Sequence, residues 1–258
     1  CCVCGAILTG IGVASDGGKY VKAADLNKMD GAAKKGDNEV LLEKTKLDDF
    51  DSVDISMTDM NLQVVPSDDR SCYISYQASD QTKDPMSYQV KDGKLTIQEN
   101  DNTGKFYYHV DIGFLSGLLG GGPVTTDENV VTLYIPEEQE WKMADIKTDM
   151  SNIMLNGCKI ENGTVQSNSG DIYFKNCDFD NLKIDSDMGD IHFVGTEDVM
   201  GAWNIQIDTD MGDIDVDDAL GGKVKEDEDD CDLSYTQKGK GGNLVIQTDS
   251  GDVSLDCR

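Results

Sequence analysis

The chain is poor in basic residues: 22 Lys and Arg stand against 50 Asp and Glu, for a formal net charge of −28. Nucleic-acid recognition needs clustered cations, so a chain this acidic excludes it, and it disfavours anionic lipid headgroups on the same ground. Histidine is limited to His109 and His192 and tryptophan to Trp141 and Trp203. Neither HExxH nor GxSxG occurs, and two indoles give little material for the aromatic platforms of a carbohydrate groove. The eight cysteines (1, 2, 4, 72, 158, 177, 231 and 257) do not make the compact framework of a small disulfide-rich domain. Cys1, Cys2 and Cys4 also lack the second ligand pair of a structural zinc. Nor does an apolar run reach bilayer length: CCVCGAILTGIGVA (1–14) falls short of the roughly 20 residues a span takes.

That segment is nonetheless uncharged and apolar, and residues 1–18 read as a hydrophobic anchor or a signal remnant, the end of a longer stretch. Residues 19–47, rich in Ala, Lys, Asp and Gly without a sustained period, predict a spacer. From there one β domain is expected over 48–257, with an irregular first half (48–140) and a repeated second half (141–257). In FDSVDISMTDMNLQVV (50–65) apolar and polar residues alternate on both sides of a Thr-Asp-Met turn, giving two short strands that look like a worn first copy of the repeat. Further strands are expected at 72–76, 87–90, 94–98, 106–112 and 130–135, punctuated by turns such as Lys-Asp-Gly (91–93).

The repeat itself is TDMSNIML (148–155), SNSGDIYF (167–174), SDMGDIHF (186–193), TDMGDIDV (209–216) and TDSGDVSL (248–255). A unit this small cannot bury a core alone and must stack on its neighbours, which is the signature of a solenoid. Ser151, Gly170, Gly189, Gly212 and Gly251 mark a corner where glycine tolerates positive φ. Two positions on stand Ile153, Ile172, Ile191, Ile214 and Val253, and two further Leu155, Phe174, Phe193, Val216 and Leu255. Five positions before the marker come Ile146, Val165, Ile184, Ile207 and Ile246, and nine after the first two come Ile160 and Phe179. Three inward ladders imply an all-β coil with three faces. The segment 219–242, with the acidic run Glu226–Asp230, reads as a loop thrown out from one corner.

One row of carboxylates, Asp171, Asp190, Asp213 and Asp252, follows the marker, and a second comprises Asp149, Asp187, Asp210 and Asp249. Like charges stacked about 5 Å apart repel by on the order of 1 kcal/mol even in water. Two offsets are available: each Asp accepts backbone N–H bonds at its corner, or Ca²⁺ bridges the first row through hard oxygen ligands. Apart from such a cation, the sequence implies no cofactor. Cys158 and Cys177 stand one period apart and are expected as stacked buried thiols. The apolar, glycine-rich GFLSGLLGGGP (113–123) makes Phe114, Leu115, Leu118 and Leu119 a candidate contact with a partner or membrane, or a plug for one end of the coil.

The order of an apolar N-terminal segment, FDSVDIS, KDGKLTIQE, VVTLYIP and repeated T/S-D-x-G-D-I units resembles the bacterial putative adhesin family, a domain of unknown function on envelope proteins. The resemblance covers about residues 48–257. It implies a right-handed parallel β-helix-like solenoid and a cell-surface location, and it carries over no catalytic residues. The expected function is non-enzymatic binding or scaffolding at the envelope, extracytoplasmic and either anchored or secreted, with a link to envelope stress. A cell-wall polymer or a surface protein is the expected partner, and the membrane is met only through the N-terminal segment. The alternatives are a polysaccharide-active β-helix enzyme using carboxylates and a purely structural spacer.

Overall fold

The computed structural model describes residues 39–78, 85–100, 129–137, 139–226 and 232–258. They are almost entirely β, in two large sheets. Strands β1 (Glu39–Lys46), β2 (Ser52–Met57), β3 (Asn61–Pro66), β4 (Tyr73–Ala78), β5 (Met86–Lys91), β6 (Lys94–Glu99) and β7 (Val130–Ile135) come from the first half. The repeats supply β8 (Glu140–Trp141), β9 (Met143–Thr148), β10 (Ile153–Asn156), β11 (Lys159–Ser169), β12 (Ile172–Lys175), β13 (Asp178–Met188) and β14 (Ile191–Gly195). After a helical turn, α1 (Glu197–Met200), follow β15 (Asn204–Met211), β16 (Ile214–Val216), β17 (Lys223–Glu226), β18 (Leu233–Gln237), β19 (Asn243–Ser250) and β20 (Val253–Cys257).

Within the repeats the chain passes from one sheet to the other and back, and strands 19 residues apart pair in parallel: Ile153 with Ile172, Ile172 with Ile191, Val165 with Ile184. Each coil thus lays one strand in each sheet, and the expected ladders become columns. Ile146, Ile153, Ile172, Ile184, Ile191 and Ile207 are all fully buried, with Phe174 stacked on Phe193 at 4.6 Å. Apart from Met154 and Tyr173, the buried apolar residues from Leu47 to Leu255 form one cluster, so both halves of the chain share a core. The third ladder, Ile160 and Phe179, lies near the starts of β11 and β13 in the same sheet as Val165 and Ile184, joined by Trp141 of β8.

The coils do not stack in chain order. One sheet runs β1-β4-β7-β3-β10-β12-β14-β20-β16 and the other β17-β18-β15-β19-β13-β11-β9-β2-β6-β5. The fifth repeat copy (β19, β20) therefore lies between the third (β13, β14) and the fourth (β15, β16). The other end mirrors this, since β2 and β3 lie between the later β6 and β7 and the repeats. Ile214, on the outermost coil, is only partly buried for this reason, though it packs against the core.

Antiparallel strands cap three of the four sheet ends, covering the edges of β7, β6 and β15, while β16 ends its sheet in a parallel pairing with β20. β4 covers β7 and β1 covers β4, so within the expected spacer (19–47) Glu39–Lys46 is a strand, because the free edge of β4 takes a partner, and residues 19–38 lie outside the described residues. β5 turns into β6 through Asp92 and Gly93, both at positive φ, a two-residue hairpin matched to strand twist. The described parts of segment 219–242 are likewise not a thrown-out loop, and residues 227–231, which hold most of the acidic run, lie outside the described residues. β17 and β18 pair antiparallel along β15, and Leu220 and Tyr235 are buried over the end of the core. The strand expected at 106–112 and the apolar segment 113–123, with Phe114, Leu115, Leu118 and Leu119, lie outside the described residues, as does the segment 1–18. Among the described residues no helix is long and apolar enough to cross a membrane.

Candidate functional site

The chemistry of the coil is concentrated at the corner between the two sheets. In T/S-D-x-G-D-I the first residue points inward: Thr148, Ser167, Ser186, Thr209 and Thr248 are all buried, a hydroxyl column that the apolar ladders did not reveal. Ser167 donates to the Gly170 carbonyl at 3.5 Å, Ser186 to Met188 at 3.4 Å and Thr209 to Gly251 at 3.5 Å. These hydroxyls give the corner carbonyls a donor where the chain turns, and the Met188 carbonyl also accepts the Gly170 N–H. Glycine at the marker answers a close approach. A Cβ on Gly189, whose φ is 117°, would sit 2.5 Å from the Gly170 carbonyl oxygen on the coil below.

Just past the corner the first carboxylate row forms a continuous hydrogen-bonded ladder. The N–H of Asn152 donates to Oδ1 of Asn61 at 2.9 Å, that of Asp171 to Asn152 at 2.8 Å and that of Asp190 to Asp171 at 3.0 Å. It continues from Asp252 to Asp190 at 2.9 Å and from Asp213 to Asp252 at 2.8 Å. The carboxylates of Asp171, Asp190 and Asp252 therefore each cap a neighbouring coil's amide, and Asp213 ends the row as a donor, which offsets the repulsion between stacked charges. Burial, reinforced by the charge of Asp190, pushes the Asp171 carboxyl above the ordinary aspartate value; the Asp190 N–H and nearby His192 pull the other way. The four aspartates run in single file, and among the described residues no three His, Cys, Asp or Glu converge as a metal cage.

On the outer face of the same strands, Tyr173 stacks on His192 with ring centroids 4.7 Å apart and planes 12° from parallel. His192 Nδ1 and Ser254 Oγ share a 2.6 Å hydrogen bond. The sequence gives His192 no visible partner because Ser254 is 62 residues away and meets it only through the inserted coil. Met154 and Tyr173 are buried on this face, packed with Val65, and burial next to Asp171 and Asp190 raises the Tyr173 phenol. The backbone of Ser254 is paired with β14 on one side and β16 on the other, so its surroundings are sheet and not the open loop of a nucleophile elbow.

Elsewhere, Cys158 and Cys177 are buried free thiols, as their spacing predicts. The Cys177 sulfur as hydrogen-bond partner, together with burial, holds the Cys158 thiol well above its ordinary value. At the first-half end the amides of Thr58, Asp59 and Met60 all donate to Glu99 Oε2, at 2.6, 2.9 and 3.0 Å. One carboxylate, at the end of β6, thus caps the corner between β2 and β3.

The architecture is thus an all-β stack of short coils with a polar, periodic corner. A match over residues 50–258 places the chain in the Toastrack DUF4097 family, to which it belongs. A putative cell adhesion protein from Clostridium sporogenes shares the fold: 11% identity, 86% of this chain and 100% of that one covered, TM-score 0.54. Two more distant likenesses are a putative adhesin from Bacteroides fragilis (12% identity, 84% and 96% covered, TM-score 0.37) and a putative lipid binding protein from Parabacteroides distasonis (12%, 85% and 98%, TM-score 0.28). No curated protein matches the chain.

Proposed function

We propose that this protein is a non-enzymatic surface module of the bacterial envelope. In this reading it is held outside the cytoplasm through its N-terminal segment and presents a right-handed, three-faced coil to a wall polymer or another surface protein. The observation that carries the reading is the corner itself, whose acidic groups repeat from coil to coil on a rigid scaffold. A repeating array suits a repeating or extended ligand, as concave and flat solenoid faces do generally. The cell-adhesion name borne by the Clostridium relative, which shares this fold, points the same way. A role in envelope stress follows if what the array senses is the state of the wall.

The test is surface display followed by ligand capture. An epitope-tagged full chain expressed in a bacterial host of this family is expected to be removed from intact cells by external protease and to bind purified wall polymer or envelope protein. Protection from protease in intact cells would overturn the surface assignment. Turnover of any member of a glycan panel, abolished by Asp190→Asn, would replace binding with catalysis by the carboxylate row.

A further inference from the structure

The apolar side chains left in solvent are not scattered. Among the described residues five large hydrophobic side chains are exposed, Met143, Met150, Met188, Met211 and Val224, and three of these occupy one repeat position, immediately before the corner. In chain order that position reads Met150, Ser169, Met188, Met211, Ser250. The pairings Ser169 with Met188, Met188 with Ser250 and Ser250 with Met211 reorder it in space. It becomes Met150, Ser169, Met188, Ser250, Met211, with methionine on every second coil. At about 4.8 Å per parallel strand, the methionines recur roughly every 10 Å.

Acidic groups flank this ridge on both sides. Asp149, Asn168, Asp187, Asp249 and Asp210 stand one position before it, and the hydrogen-bonded row of Asp171, Asp190, Asp252 and Asp213 stands two positions after. The backbone does not require methionine here, because Ser169 and Ser250 fill the same position in the same register. Met188 and Met211 are 55% and 60% exposed, a solvation cost that a purely structural coil has no reason to carry. Thioether side chains are polarizable and adapt their shape to a partner's apolar groups, as on other methionine-rich binding surfaces.

We propose that this ridge docks a basic amphipathic segment of a partner protein. Its apolar side chains seat on Met150, Met188 and Met211, and its Lys or Arg side chains face the two acidic rows. A helix laid along the stack repeats every seven residues, about 10.5 Å, close to the methionine spacing. Charge selects this occupant over the others: the rows repel anionic membrane, and a net charge of −28 disfavours a second copy. The inference rests on the reading of the domain as a binding scaffold and names its partner's chemistry.

The test titrates the full chain with a synthetic Lys/Ala helix of about 20 residues carrying Leu at every seventh position, against a peptide of the same composition with the Leu residues dispersed around the helix. The heptad peptide is expected to bind roughly tenfold tighter than the dispersed one. The triple variant Met150→Ser, Met188→Ser, Met211→Ser should erase that preference while keeping the wild-type melting temperature, since serine already occupies alternate coils. Met143→Ser, elsewhere on β9, should leave the preference intact. Equal binding of the two peptides, or a preference that survives in the triple variant, would overturn the proposal. So would self-association, or binding to vesicles of neutral lipid, that the triple variant abolishes. A chain that binds the heptad peptide yet is never displayed on cells would cost the surface reading and leave the ridge assignment standing.

Discussion

The backbone N–H of Asp252 donates to Oδ1 of Asp190 at 2.9 Å, across 62 residues, although Asp213 lies between them in the chain. Asp213 in turn donates its own N–H to Asp252 at 2.8 Å. The last repeat has been threaded between two earlier ones, and the carboxylate ladder records that order as clearly as the strand pairing does. It follows that the outermost coil, β15 and β16, is held to the stack through residues that come later in the chain.

Ending the chain after Gly242 tests this order directly. If coils stacked sequentially, losing β19 and β20 would remove an end and leave the other coils intact. With the observed order, β15 and β16 lose their parallel neighbour and the edges of β13 and β14 open. The truncated chain is expected to lose amide-exchange protection in β13 to β16 together. Selective retention of β15 and β16 protection would show that they have another anchor.

The corner glycines make a second prediction. Gly189→Ala forces a Cβ toward the Gly170 carbonyl at 2.5 Å and holds a side chain at φ 117°. Backbone strain and overpacking each cost about 1–3 kcal/mol, so a loss of roughly 2–6 kcal/mol is expected in denaturant titration. Ser151→Gly, at the marker of the first complete copy, should cost far less. A wild-type midpoint for Gly189→Ala would mean the corner relaxes freely.

Much of this was legible beforehand. The 2.0-residue alternation and the 19-residue offset identified the inward columns, and Ile172 and Ile191 are indeed fully buried. What periodicity could not supply was coil order, because Ile214 and Val253 satisfy one column equally well in either place. Register misleads too. Thr58-Asp59-Met60 reads like Thr148-Asp149-Met150, yet Met57 pairs with Thr148, and the one-residue offset turns Met60 inward while Met150 faces solvent. The methionine ridge was hidden for the same reason, since its alternation exists only after the last coil is inserted. The Ser-His contact was invisible because parallel stacking joins residues with no local sequence relationship.

Stability should also respond to pH through Asp171. Its carboxyl titrates higher in the folded chain than the ordinary 3.8, chiefly because of burial, so the folded state binds more protons and stability rises as pH falls through that window. Asp51 has the opposite sign. Its hydrogen bond with Lys142 lowers its carboxyl, so that contribution is lost at still lower pH. The melting temperature is therefore expected to climb from neutral pH into mild acid and then fall. Asp171→Asn, which copies Asn152 one coil away, should flatten the climb and keep an acceptor for the Asp190 amide. Asp171→Ala, which removes that acceptor, should cost about 1–3 kcal/mol. An unchanged pH profile in Asp171→Asn would assign the climb to overall charge.

The carboxylate row sets the terms for calcium. Each hydrogen bond to the next amide uses Oδ1 and leaves a second oxygen on the same carboxylate, and coils about 4.8 Å apart hold successive carboxylates one strand spacing from each other. A calcium ion with oxygen ligands at about 2.3–2.6 Å can bridge two neighbours but not three in a file, and water must complete its shell. Binding of this kind is expected only at millimolar calcium, about the range of weak extracellular modules. CaCl₂ should then raise the melting temperature more than NaCl of matched ionic strength, which acts by screening alone. The excess should disappear in the double variant Asp190→Asn, Asp252→Asn, where both amide caps are preserved and two adjacent charges are gone. Equal shifts with the two salts would reduce the row to its hydrogen-bonding role, with Asp171, Asp190 and Asp252 serving only the amides of neighbouring coils.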